Sequence, residues 1–448
     1  MKFRSILTVT ALILIMFMAA IETSIISLAL PTIKINLHAG NLVSLVFTVY
    51  FIALVIANPI VGELLSRFKI LYIAVAGVSL FAIGSLMSGL SETFTFLIIS
   101  RMIQGFGAGV MMSLSQIVPK LAFEIPLRYK IMGIVGSVWG ISSIIGPILG
   151  GAILEFATWH WLFFINIPIA IIAIVLVLMT FHFPEEEHGN QTHFDVKGLS
   201  IFYIFIALLM FGLLNQQHLY LNIIAIILAL LVLIGLFKIE QKQNNPFLPT
   251  NEFNRSIMLA FITDLFIAMS LIGYNLYIPV YLQEQLGLSP LQSGFVILPL
   301  SVAWIILNFN LAKIEANFTR KALYISAFTV LLICSVIILF GMKVPLLIAF
   351  SVIFAGLSFG YVYTKESVIV QEESSPRNMK KMMSFYALTK NLGSSVGSTI
   401  MGYMYTLKSG LFGTHLHNVL GLIAVISICL SMMWILFYKS NKTSNFNN

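Results

Sequence analysis

The apolar residues of this chain fall in long continuous runs separated by short polar segments, without the strict alternation that marks a half-buried strand. The runs occupy approximately residues 6–30, 42–62, 70–90, 93–117, 131–156, 161–181, 198–215, 219–238, 257–282, 291–312, 321–342, 344–365, 382–406 and 417–438. A helix needs about 20 mainly apolar residues to cross about 30 Å of hydrocarbon. The pattern therefore predicts an all-α integral membrane protein with fourteen spans. The basic start MKFRSILTVTALILIMFMAA resembles a signal peptide, but its apolar stretch continues to about Leu30 without a convincing cleavage site. It reads as a retained first span.

Two of the longest polar segments, HFPEEEHGNQTHFDVKG (182–198) and KIEQKQNNPFLPTNEFNRS (238–256), bracket the seventh and eighth runs. This divides the chain into an N-terminal six-helix bundle (1–181), an inserted pair of helices with polar linkers (182–256), and a C-terminal six-helix bundle with a short tail (257–448). A faint repeat supports the division. SLALPTI (27–33) closes the first run as NLYIPVYL (275–282) closes the ninth, and the Gly140–Gly146 interval recurs as Asn391–Gly397. Paired halves with a site between them are a common transporter plan.

Composition agrees: 59% of the 448 residues are hydrophobic and 9% charged. An even number of spans puts both termini on one side. If that side is the cytoplasm, twenty Lys and Arg lie in cytoplasmic segments and three (Lys34, Lys343, Lys408) outside, as expected for inner loops. The net charge of +8 then reflects topology and contact with anionic lipid, and nucleic acid is not a partner. Cys334 and Cys429 lie in apolar runs and suggest neither a disulfide framework nor a metal site. There is no phosphate-binding loop, no HExxH and no soluble catalytic domain, so neither ATP-driven transport nor enzyme chemistry is indicated. No cofactor is called for.

Four charges lie deep inside the runs, away from their ends: Glu22, Arg101, Asp264 and Lys390. An ionised group at the bilayer centre costs about 2.5–3.5 kcal/mol on insertion scales, so such residues face a cavity or a partner. At about 1.5 Å per residue, Glu22 and Arg101 both lie about 12 Å below the outer surface, and Asp264 and Lys390 about 11 Å from the cytoplasmic one. The first two are expected to meet, and the second two form a candidate pair in the other half. Gly140, Gly146, Gly150 and Gly151 flank Pro147. Small residues at that density allow close helix packing, and Pro removes one backbone bond and bends the helix. Polar or aromatic residues in apolar spans (Gln104, Tyr274, Asn275, Trp304, Asn308, Tyr361 and Tyr363) are candidates for a substrate cavity, although Tyr and Trp also serve as interfacial anchors.

Four stretches carry a family resemblance: ETSIISLALPTI (22–33), RMIQGFGAG (101–109), GISSIIGPILGG (140–151) and WHWLFFINIPI (159–169). Together they resemble the major facilitator superfamily in its fourteen-span drug:proton antiporter branch. The chain departs from the family's loop between spans two and three. Here Gly62-Glu63-Leu64-Leu65-Ser66-Arg67-Phe68-Lys69 has Ser66 in place of the usual Asp, and AKIEANFTRK (312–321) has Ala316 there. A latch on that side is then expected to work differently, through Glu63. The first-span motif carries Glu22 where the branch usually has Asp.

The resemblance implies proton-coupled efflux of hydrophobic or cationic drugs by a monomer in a bacterial plasma membrane, with lipids, drugs and protons as partners. Burial favours the protonated carboxyl and a nearby cation opposes it. Glu22 facing a cavity is thus equipped to take up a proton and release it when substrate or Arg101 approaches, with Asp264 as a second carrier. The plainer reading is a fixed ion pair orienting two helices, and for Lys390 that structural reading leads. In antiporters of this kind the fifth helix, here with Gly140, Gly146, Pro147, Gly150 and Gly151, is implied to seal and rock the halves. A proton-coupled exporter of an endogenous lipid or metabolite is the alternative, followed by a channel or a membrane sensor.

Overall fold

The computed structural model describes residues 3–39, 45–183, 195–214, 219–243, 246, 248–288, 290–407, 410, 412–413 and 415–438. Most of the 182–198 segment lies outside them, as do Lys2, Lys408, Lys439 and Lys442. The described residues are helical, with no strand. The helices are α1 (Phe3–Asn36), α2 (Leu45–Arg67), α3 (Ile70–Gly89), α4 (Phe94–Ala122), α5 (Leu127–Phe156), α6 (Trp161–Phe164), α7 (Asn166–Thr180), α8 (Val196–Leu214), α9 (Leu219–Glu240), α10 (Arg255–Ile272), α11 (Ile278–Glu284), α12 (Pro290–Asn317), α13 (Arg320–Gly341), α14 (Pro345–Glu373), α15 (Met379–Thr406) and α16 (Leu416–Phe437). Eleven helices among the described residues are long and apolar enough to cross a membrane. Their outward side chains, such as Ile223, Ile227, Leu231 and Ile234 on α9, are exposed hydrocarbon, as suits contact with lipid.

Helices α1–α7 pack among themselves, as do α10–α16, and the two groups meet along two seams, α5 on α12 and α14, and α2 and α4 on α15. Both groups share one apolar core. Close backbone approach builds the first group. A Cβ on Gly105 of α4 would lie 2.3 Å from the Tyr50 carbonyl oxygen of α2, and one on Gly107 would lie 2.4 Å from the Phe81 nitrogen of α3. The glycines of RMIQGFGAG thus let α4 sit in the groove between α2 and α3.

Two expected spans are subdivided. The sixth is α6 followed by α7, and the ninth is α10 and α11 joined by a π-helical turn over Gly273–Tyr277. The twelfth is longer than its apolar run: α14 continues eight residues past Lys365 to Glu373, which brings Glu366 into the helix.

The α8–α9 pair packs over the α2–α15 seam. Phe202, Phe205 and Ile206 join Val55 of α2 and Phe385, Leu388 and Leu392 of α15 in one cluster, and the Tyr203 hydroxyl donates to the Ile56 carbonyl at 2.8 Å. The segment that follows is tied to the second group. Glu252 accepts bonds from the Ser375 nitrogen (2.9 Å), the Ser375 hydroxyl (2.6 Å) and the Asn378 amide (2.7 Å). Burial acts to raise the Glu252 pKa, and these donors overcome it and hold the carboxyl below its ordinary value.

Candidate functional site

The buried charges form two clusters, one in each helix group. In the first, Glu22 of α1 and Arg101 of α4 make a fully buried ion pair. Arg101 Nη1 donates to Glu22 Oε1 and also to Gln104 Oε1 at 2.6 Å, while its Nε reaches the Val46 carbonyl at 3.2 Å. Gln104 passes the chain on, donating to Ser85 Oγ at 2.7 Å. Asn166, at the start of α7, donates to Glu22 Oε2 and to Ser85 Oγ, each at 2.9 Å. The guanidinium lies over the Tyr50 ring, 4.4 Å from its centroid, where the ring's negative face favours a cation. Both carboxylate oxygens therefore have donors. Gln104 belongs to this network and does not line the cavity. Ser85 and Asn166 are members that the sequence reading missed; each is a small polar residue inside an apolar run.

The second cluster is built differently. Asp264 of α10 and Glu366 of α14 are both fully buried, and none of their four oxygens accepts a hydrogen bond. Lys390 of α15 interacts electrostatically with both, yet no direct ion pair joins it to Asp264, contrary to the pairing expected from depth. Its ammonium lies instead over the Tyr363 ring, 4.2 Å from the centroid. Tyr386 stands beside Asp264, but its hydroxyl donates to the Tyr363 carbonyl at 3.2 Å. Glu366 was missed because Lys365 and Glu366 together end the apolar run and read as loop.

Between the groups lies a cavity lined by Met16, Gln116, Met132, Trp139, Trp304, Tyr363, Tyr386 and Lys390, among others. It offers about 30 Å³ for the centres of water molecules, enough for one or two waters. A drug-sized ligand needs the walls to part. Of the seven substrate candidates, Trp304 and Tyr363 line it, stacked on each other at 5.3 Å. The others stand elsewhere. Tyr274 is core, bonded to Ser335 at 2.9 Å and packed edge-on against Phe359. Tyr361 packs on Tyr324, Asn308 donates to the Trp304 carbonyl at 2.9 Å, and half-buried Asn275 lies in the π-helical turn.

The GISSIIGPILGG stretch divides in two. A Cβ on Gly140 would fall 1.4 Å from Ser301 Oγ of α12, so here the α5–α12 seam admits no side chain. Gly146 and Gly150 are buried. Gly151, expected in the same contact, is exposed, and a Cβ there would meet nothing within 4 Å. The Pro147 side chain lies outside the described residues.

Where the chain starts and ends, polar contacts tie the groups together. Glu63 of α2 pairs with Lys381 of α15 at 2.5 Å and with Arg67 at 2.6 Å. Glu372 of α14 receives Lys120 at 2.7 Å and also Arg128, and Tyr129 donates to Glu315 at 2.9 Å, which in turn pairs with Lys365 at 2.6 Å. The Glu63–Lys381, Lys120–Glu372 and Arg128–Glu372 pairs between the two groups all lie at this face.

The sequence pattern of the Major Facilitator Superfamily matches residues 12–398. The chain belongs to that superfamily. It is similar to the multidrug efflux pump SdrM of Staphylococcus aureus (strain N315), at 71% identity over 445 residues, covering 99% of this chain and all of that one. The multidrug transporter protein MdtP of Bacillus subtilis (strain 168) is 26% identical over 416 residues, 90% of this chain and 76% of its own. The human organic anion transporter MFSD10 (TETRAN) has the same fold, with a TM-score of 0.71 at 14% identity over 96% of this chain and 99% of that one. This member of the superfamily is a transporter and not an enzyme, and its apolar helices and staphylococcal relative place it as a multi-pass protein of a bacterial plasma membrane.

Proposed function

We propose that the protein exports varied hydrophobic or cationic drugs in exchange for protons, by alternating access. Fourteen spans form two six-helix bundles (1–181 and 257–448) and an inserted pair (182–256), with both termini in the cytoplasm and the monomer as the working unit. The observation that carries the reading is Glu22: a buried acid whose cation, Arg101, stands on a different helix, so that movement of α1 against α4 changes whether it needs a proton. With Arg101 in place Glu22 is ionised. When the two separate, the stranded carboxylate takes up a proton, because an unpaired buried charge costs several kcal/mol. The name of the staphylococcal relative and the methionine and aromatic cavity walls support a broad drug range, since adaptable sulfur and flat rings accept many shapes. Asp264 is the second proton carrier. The Glu63–Lys381 and Glu372 contacts close the cytoplasmic side, and the tight Gly140 seam is where the bundles rock.

Glu22→Gln tests this directly, since the amide mimics a carboxyl that never releases its proton. Efflux of a fluorescent drug from cells or liposomes under an imposed proton gradient is expected to be lost in the variant. Substrate binding and folded yield are expected to survive. Wild-type gradient-driven efflux in Glu22→Gln would overturn the assignment and leave Asp264 as the carrier.

A further inference from the structure

The second cluster does not balance its own charge. With Asp264, Glu366 and Lys390 all ionised it carries one net negative charge, in a place where neither carboxylate accepts a well-formed hydrogen bond and only the Tyr386 hydroxyl stands beside Asp264. Neutralising the lysine would leave two negative charges, and protonating both acids would leave one positive charge. A single proton on the two carboxylates brings the sum to zero. The first cluster, Glu22 with Arg101, sums to zero with no proton.

The other titratable groups facing the site do not change this count. Tyr363 of α14 and Tyr386 of α15 stand against Asp264, and Tyr324 of α13 lies near Glu366; a neutral phenol adds no charge. The site borders a cavity large enough for water: Lys390, Tyr363 and Tyr386 line the cavity between the groups, so these side chains stand between that cavity and the acids.

We propose that Asp264 and Glu366 hold one proton between them, which makes the C-terminal bundle a proton-binding site separate from Glu22, with Glu366 as a full member. The step is protonation of one carboxylate to a neutral carboxyl, with the proton drawn from and returned to cavity water. Lys390 sets the count by supplying one positive charge to two acids. The proposal rests on the antiport reading only for its use in transport. The shared proton itself follows from charge and burial.

Infrared spectroscopy of the purified full-length protein reads the carbonyl stretch of a protonated carboxyl, and amide substitutions remove it site by site. At neutral pH the wild type is expected to show such a band. Asp264→Asn and Glu366→Gln are each expected to lose it, because either change leaves one acid balanced by Lys390, and Glu22→Gln is expected to keep it. Two single variants are available should one fail to fold, and the wild-type spectrum is itself a test. Absence of the band in the wild type, or its persistence in both single variants, overturns the proposal, as does its loss in Glu22→Gln alone. Gradient-driven drug efflux measured on the same preparations separates the two readings: a band with no coupled efflux supports the shared proton and overturns antiport, and coupled efflux with no band does the reverse.

Discussion

Glu22 and Asp264 are both fully buried acids in the membrane part of one chain, each in its own helix group, and their surroundings differ in nearly every respect. Glu22 has a donor on each oxygen, a permanent cation in contact and a relay through Gln104, Ser85 and Asn166. Asp264 accepts no well-formed hydrogen bond on either oxygen and has only the Tyr386 hydroxyl beside it, lies close to a second acid, and has its lysine turned onto an aromatic ring. A buried charge needs both a counter-charge and hydrogen bonds to be tolerated. At the Glu22 carboxylate both needs are met in the conformation seen here, whereas the second site, on the proposal above, meets them by holding a proton. On the shared-proton proposal, the two acids therefore differ in protonation state in this conformation.

The largest effect expected from breaking this contrast is at Arg101. Arg101→Met leaves Glu22 Oε1 and Gln104 Oε1 without their donor in a fully buried site, and removing one member of a buried pair costs about 3–5 kcal/mol. Thermal unfolding in detergent is expected to show a strongly lowered midpoint and poor folded yield. Adding Glu22→Gln removes the stranded charge and is expected to recover most of the stability without recovering efflux. A single Arg101→Met protein as stable as wild type would show that the first network is not closed to water, and the contrast would fail.

The first cluster was legible in the sequence because Glu22 and Arg101 are each the lone charge in a long apolar run, and rise per residue then sets their depth. Glu366 was not legible for the converse reason. It follows Lys365, and two adjacent charges end a hydropathy run although the helix continues to Glu373. Glu63 was found through a departure, an acid standing near a position where the family's loop has lost its Asp, and its partner across the seam is Lys381. The docking place of α8–α9 could not be read, because helices apolar all round carry no stripe that says which side faces protein. Aromatic residues were ambiguous for a similar reason. Tyr274 and Tyr363 look alike in a run, and only packing separates core from cavity wall.

A smaller effect is expected at Lys390, which makes no ion pair and is half-buried at the cavity wall. Lys390→Met leaves two acids with no cation. Each can be neutralised by a proton in preference to remaining as a buried charge, and no ion pair or hydrogen bond is lost with the lysine, so the loss is expected to be about 1–3 kcal/mol, below that of breaking the hydrogen-bonded Glu22–Arg101 pair. The sign of its pH dependence follows. If the folded variant holds protons that the unfolded chain releases, stability is greatest at acid pH and falls as pH rises. Unfolding midpoints of Lys390→Met measured across pH are expected to decline more steeply toward alkaline pH than those of the wild type. A flat difference would mean that the acids take no extra proton, and the charge count at the second site would be wrong.

The smallest effect, and the sharpest discrimination between the two sites, is at Tyr386. Its hydroxyl is the polar group beside Asp264, yet its hydrogen bond goes to the Tyr363 carbonyl, and its ring packs edge-on against Phe261 at 6.2 Å. Tyr386→Phe keeps the ring and removes only the hydroxyl. The expected cost is the net worth of one neutral hydrogen bond, about 0.5–1.5 kcal/mol, with the protonated-carboxyl band and drug efflux close to wild type. If Asp264 instead relied on that hydroxyl as a donor to a charged carboxylate, the cost would rise to about 1.5–3 kcal/mol and the band would grow, because an acid losing its donor holds its proton more firmly. Unfolding and infrared spectra of this one variant therefore decide whether the second site is held by a shared proton or, like the first, by hydrogen bonds to an ionised acid.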